Sequence, residues 1–328
     1  MATGSKSAGS RSDIGTRQSQ PKVPNGGYGA ALKRRPWILL APTLLILGLL
    51  LGYPLARMAW FSFQNYGLRE LNTGEANFTG FENYQHIFGD SYLYTVVLPN
   101  TVGFAALCVF LTIVLGTLVA LFLKGLPTFW RYLTSTAVMV AWAVPAVTGT
   151  YVWRFIFEPS NGLATNFLGK LGVIEPGSVN WFIDRLSFYA IATLNVVHHS
   201  IPFVAVTVLA ALLTIPEELY EAARIDGANR WRQFWTITVP VLKPVFAVVT
   251  ILSTIWDFKV FTQIYLMPGG DGSNEEIFNL GLWAYSESFA QGKYGMGSAI
   301  AVVLTGVLLL ITIVYLRTLF KEDELCIG

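Results

Sequence analysis

Seven side chains able to hydrogen-bond or stack interrupt two otherwise apolar stretches of this 328-residue chain. They are Asn195, His198 and His199 in one stretch, and Trp256, Asp257, Lys259 and Gln263 in the other. Such groups are costly in an apolar run, which makes them candidates for function. Asp257, Asn195 and Gln263 supply acceptors and donors, and Trp256 supplies a flat aromatic face. Together they are the means of holding a neutral polyhydroxylated solute. His198, Asp257 and Lys259 could instead form a proton relay. Asp257 and Lys259, two residues apart, lie on different faces of an ideal helix, and His198 and His199 cannot both face one cavity. The chain has no metal-ligand spacing, no Gly-x-x-x-x-Gly-Lys phosphate loop and no disulfide framework from Cys108 and Cys326. Catalysis and metal chemistry are not expected of it.

The elements that position these residues are membrane spans. At 53% hydrophobic, 13% charged and mean hydropathy +0.52, the chain is too apolar for an ordinary soluble domain. Six apolar stretches approach the ~20 residues that a bilayer core demands: about 37–61, 95–123, 132–157, 188–213, 244–266 and 297–320. Trp37, Trp60, Trp130, Tyr132, Trp153 and Tyr189 stand at their margins as interfacial anchors. Pro145, Pro202, Pro240 and Pro244 lie within or beside spans, where proline kinks a helix. Fifteen Lys and Arg residues fall on one side of the implied topology and four to six on the other, which places both termini inside. The segment 1–35, rich in Ser, Gly, Gln and Pro, is expected to be a disordered inner tail; 36–322 forms the spanning domain and 323–328 a short inner tail. The outer connections, roughly 64–94, 158–187 and 267–296, carry little helix signal and more acids than bases, which suits a docking surface for an outer partner.

Between the fourth and fifth spans lies a polar insert, 214–243. Thr214 and Glu217 have capping-box spacing, and Pro216 suits a first helical position. A helix can run to about Ile225, with Leu219, Ala222 and Ala223 as an apolar stripe, and Asp226-Gly227 stops it. A second short helix follows, with Trp231, Phe234 and Trp235 on one side and Arg230, Arg232 and Gln233 towards water. The result is a helix–turn–helix elbow on the inner side.

The elbow resembles the cytoplasmic loop of ATP-binding-cassette importer permeases, in which Glu-Ala-Ala, three residues, Gly, nine residues and Ile-x-Leu-Pro recur. Glu221, Ala222, Ala223, Gly227, Ile237 and Pro240 match, with Asp226 preceding the glycine and Val239 in place of the leucine. Six of seven fixed positions agree. Phe81-Glu82-Asn83-Tyr84 and the stretch from Phe258 to Gly270 are similar to sugar permeases of the maltose and glycerol-phosphate type, although Pro268 replaces a threonine there. The resemblance covers about 35–320 and implies an all-α polytopic fold of six spans with a coupling loop between spans four and five. It further implies a second related permease as heterodimer partner, two cytoplasmic ATPase copies that bind ATP and Mg, and an extracytoplasmic solute-binding protein. On this reading the chain sits in a bacterial inner membrane, binds no nucleic acid and carries no cofactor of its own. An ion-coupled transporter using Asp257, Lys259 and His198, or an importer of a polyol phosphate, are the alternatives.

Overall fold

A computed structural model describes residues 39–175, 177–270 and 272–327, with side chains as far as Arg317. The expected tail, 1–35, lies outside the described residues. The chain divides into two compact units, Met1–Leu55 and Ala56–Gly328. In the first, every described residue is helical and exposed; it contributes most of α1, Leu39–Phe61.

The second unit is mostly helical. After α1 come a two-residue antiparallel pairing of β1 (Gln64–Asn65) with β2 (Asn77–Phe78), and the short helices α2 (Leu68–Thr73) and α3 (Glu82–Gly89). The spanning helices are α4 (Leu93–Lys124), the pair α5 (Thr128–Trp142) and α6 (Ala146–Ile156), then α8 (Arg185–Leu212). The fifth apolar helix, Arg230–Leu266, contains α10 (Arg230–Gln233), α11 (Val239–Phe258) and α12 (Thr262–Leu266). The last is α14, Tyr294–Ile327, which carries helix on through most of the expected inner tail at 323–328. Between these lie α7 (Leu163–Lys170), α9 (Glu217–Ile225) and α13 (Leu280–Tyr285).

Among the described residues, five helices are long and apolar enough to cross a membrane, and a sixth crossing exists if α5 and α6 count as one span. The expected third span, about 132–157, is therefore broken: α5 and α6 meet at 89°. Pro145 is the cause. It has no N–H to continue the α5 ladder and disfavours helix at Val144, so the chain restarts from Pro145 in extended geometry. The expected fifth span also starts earlier than position 244. Pro240 and Pro244 both lie inside the continuous helix Arg230–Leu266, and a wider π-helical turn, Phe234–Thr238, comes just before Pro240.

Lipid offers no hydrophobic drive between helices, so small residues and close packing must hold them together. The most extensive helix contact, α4 against α8, shows this. Ala105, Cys108, Thr112, Gly116 and Ala120 recur every three or four residues along α4 and are buried. At Gly116 the backbones come so close that an added Cβ would lie 2.7 Å from Val204 Cγ1.

The connection 267–296 is not a simple solvated loop. Its buried Ile277, Phe278, Leu280 and Leu282 join the main apolar cluster. Asn100 Nδ2 donates to the carbonyls of Glu276 (2.9 Å) and Phe278 (2.8 Å), and Arg185 Nε donates to Asn100 Oδ1 (2.6 Å). Tyr189 Oη donates to the Ile277 carbonyl (2.8 Å), and Asn279 Nδ2 to that of Val260 (2.7 Å). Helices α2, α3, α7 and α13 correct the expectation of little helix in these connections. At six to eight residues each, they are too short to show a period.

Candidate functional site

The elbow forms as its sequence dictates, with two local differences. Helix α9 ends at Ile225, and Gly227 takes φ +79°, the left-handed conformation in which glycine has no Cβ penalty. Asn229 then caps α10, its Oδ1 accepting from Arg232 N at 2.8 Å. The capping box does not form. Thr214 Oγ1 bonds back to the Ala211 carbonyl (2.8 Å), and Pro216 precedes α9 without a side-chain cap. Glu217 and Glu218 instead place negative charge in the first turn, which suits the helix dipole. Gln233 is buried rather than turned to water, because its Nε2 donates to the Ala228 carbonyl (2.8 Å) and closes the elbow from inside.

Tyr220, a residue the sequence did not single out, fastens the elbow to the spans. Its hydroxyl lies 2.9 Å from Thr238 Oγ1, just before α11, and Lys124 at the end of α4 places its Nζ 4.3 Å from the ring centroid. Tyr220 and Ile237 pack on a cluster that contains Leu123 of α4, Leu212 of α8 and Leu242 of α11. One face of α9 thus belongs to the spanning helices. The other face is uncovered within the chain: Leu219, Glu221, Ala222, Ile225, Asp226 and Gly227 are exposed, Ile225 at 87%. Glu221 makes an exposed ion pair with Arg224 at 3.8 Å, a contact worth little by itself. Ala223 is half-buried, and Pro240 exposed.

A second locus lies among the spans. A cavity of about 340 Å³ is lined by Trp256, Asp257 and Gln263, together with Trp142, His199 and Ser200. Phe203 joins its two indoles, at 5.8 Å from Trp142 and 5.0 Å from Trp256 between ring centroids. Asp257 is buried, 3% exposed, and its Oδ2 has no hydrogen-bond partner among the described residues. Lys259, just past the end of α11, is exposed and also reaches the cavity. Two of the expected residues lie elsewhere. Asn195 Nδ2 donates to Thr150 Oγ1 at 3.4 Å, joining α8 to α6, and His198 sits on Trp153 at 5.9 Å between ring centroids. His199 lines the cavity and His198 does not. Trp142 enters because α5 ends there; the adjacent Pro145 was the available signal.

Acceptors, donors and paired indole faces around a half-apolar cavity can bind a neutral polar solute, and an exposed elbow tied to the spans can pass on a mechanical displacement. These are the parts of a multi-pass transport permease. The chain belongs to the family described as binding-protein-dependent transport system inner membrane component, which it matches over residues 112–321. It is 36% identical to the diacetylchitobiose uptake system permease protein DasB of Streptomyces coelicolor, covering 92% of this chain and 94% of that one. It is 32% identical to the sulfoquinovosyl glycerol transport system permease protein SmoG of Agrobacterium fabrum, covering 87% and 90%. In fold it is similar to a chain of a bacterial alginate ABC transporter crystallised with an alginate pentasaccharide-bound periplasmic protein. That match has a TM-score of 0.72 at 19% identity and covers 88% of this chain and 94% of the other.

Proposed function

We propose that this chain is the permease subunit of an ATP-driven, binding-protein-dependent importer of a neutral sugar or oligosaccharide. The observation that carries this reading is the elbow: α9 is fixed to three spans through Tyr220 and its neighbours, while its Glu221, Ala222 and Ile225 face is left open. The open face takes a cytoplasmic ATPase, two copies per complex, and each ATPase supplies the ATP and Mg sites. Closing of the ATPase pair then moves the elbow, and the spans with it, between inward and outward openings. A second, related permease supplies the other half of the path, and a soluble binding protein delivers the solute at the outer connections. Termini and elbow lie in the cytoplasm, as the charge asymmetry implies.

A sugar suits the Asp257–Gln263 cavity because hydroxyl pairs match carboxylate and amide groups, and pyranose faces match indoles. The cargo named for DasB, a disaccharide derivative, agrees with that chemistry. Lys259 is nearly the lone cation there, which disfavours a polyol phosphate. The test is co-purification from the native membrane, with retained proteins identified by mass spectrometry. Wild type is expected to bring an ATPase and a second permease, and a Glu221→Lys, Gly227→Val variant to lose the ATPase. Recovery of the chain alone in both forms would refute the reading.

A further inference from the structure

A separate cavity of about 750 Å³ opens beside the Phe61 end of α1, between that end, α13 and the start of α14. Its size is ordinary for a ligand site. Its walls are apolar, with Phe61, Leu71, Phe289 and Ala301 among them. Arg57 and the hydroxyls of Tyr66, Tyr285, Ser288, Tyr294 and Ser298 also line it. Not one of those five hydroxyls makes a hydrogen bond to another described residue. Arg57 has no carboxylate partner among the described residues; its guanidinium rests on the Phe61 ring, 4.8 Å from the centroid. It lies four residues from the end of an apolar helix, ~6 Å along the axis, where an unneutralised cation needs an anion or the membrane surface.

We propose that this cavity is a phospholipid site. The phosphodiester sits on Arg57, its remaining oxygens accept from the unpartnered hydroxyls, and an acyl chain lies along the apolar walls. A guanidinium suits phosphate because its fork of donors matches paired oxygens. A sugar would use the hydroxyls and rings but leave the cation without an anion, so the charge favours lipid. An anionic headgroup is preferred, since the choline cation of phosphatidylcholine would face Arg57.

The experiment places the full-length protein, with whatever subunits it retains, in nanodiscs of equal phosphatidylglycerol and phosphatidylcholine. Native mass spectrometry then counts the lipids held on release. Wild type is expected to retain phosphatidylglycerol, and Arg57→Gln to retain at least fivefold less, with Arg57→Lys in between. Arg57 is exposed, and within the chain its loss removes only the contact with the Phe61 ring, which Arg57→Lys can keep. Equal retention by wild type and Arg57→Gln overturns the proposal. So does a photo-crosslinker at Phe289 that captures another polypeptide rather than lipid, because protein then closes the cavity.

Discussion

The Tyr220 hydroxyl lies 2.9 Å from Thr238 Oγ1, and this contact ties the elbow helix to the residue just before α11. With Lys124 over the same ring, a displacement of α9 reaches α4 and α11 at once. Tyr220→Phe keeps the ring packing and deletes the bond, at a cost of about 0.5–1.5 kcal/mol. The protein is expected to insert normally and to transport less solute per ATP hydrolysed. Purified complex in proteoliposomes gives both rates; an unchanged ratio would remove Tyr220 from the coupling route.

Gly227 matters through its backbone alone. A Cβ there would meet nothing within 4 Å, so any effect of substitution comes from the left-handed conformation rather than from a clash. Gly227→Val is expected to lose ATPase coupling while inserting normally, with at least about 1–2 kcal/mol of strain at the turn. Gly227→Asn, which tolerates that conformation, should keep most uptake. Equal losses in both variants, read by uptake and ATPase assays, would contradict this account.

How far the sequence discloses the protein varies with the range of the interactions involved. The elbow is legible because Gly227 and the Glu-Ala-Ala spacing act locally. Tyr220 is not, since its meaning depends on Lys124, which is remote in sequence, and on Thr238 across the turn. Pro145 announces a kink, but the 89° bend, and hence the presence of Trp142 in the cavity, depends on what α5 and α6 pack against. Adjacent histidines differ by about 100° around a helix; only the neighbours of α8 decide that His199 faces the cavity and His198 faces Trp153.

Gly116 sets the spacing of α4 and α8. Gly116→Ala puts its Cβ within 2.8 Å of both Cβ and Cγ1 of Val204, so the helices must part. Overpacking of this kind costs about 1–3 kcal/mol, partly offset by the better helix propensity of alanine. The thermal midpoint of the detergent-solubilised protein is expected to fall, and a second change, Val204→Ala, to recover part of it. A midpoint at or above wild type for Gly116→Ala would show that the contact yields freely.

Asp257→Asn keeps the volume and replaces one oxygen of a buried carboxyl group whose Oδ2 has no hydrogen-bond partner among the described residues. If Asp257 holds solute hydroxyls, losing that acceptor leaves a buried hydroxyl unpaired at a cost of about 1–3 kcal/mol, so apparent affinity should weaken roughly tenfold. Assembly should be intact. Unchanged uptake kinetics would take Asp257 out of the path.

Contact between the open face of α9 and an ATPase is what every coupling effect above depends on. A photo-crosslinking residue at position 222, with position 195 as a buried control, tests it in intact cells. A covalent adduct between position 222 and an ABC ATPase subunit, identified by mass spectrometry, is expected, and none from position 195. Adducts to lipid alone at position 222 would contradict it.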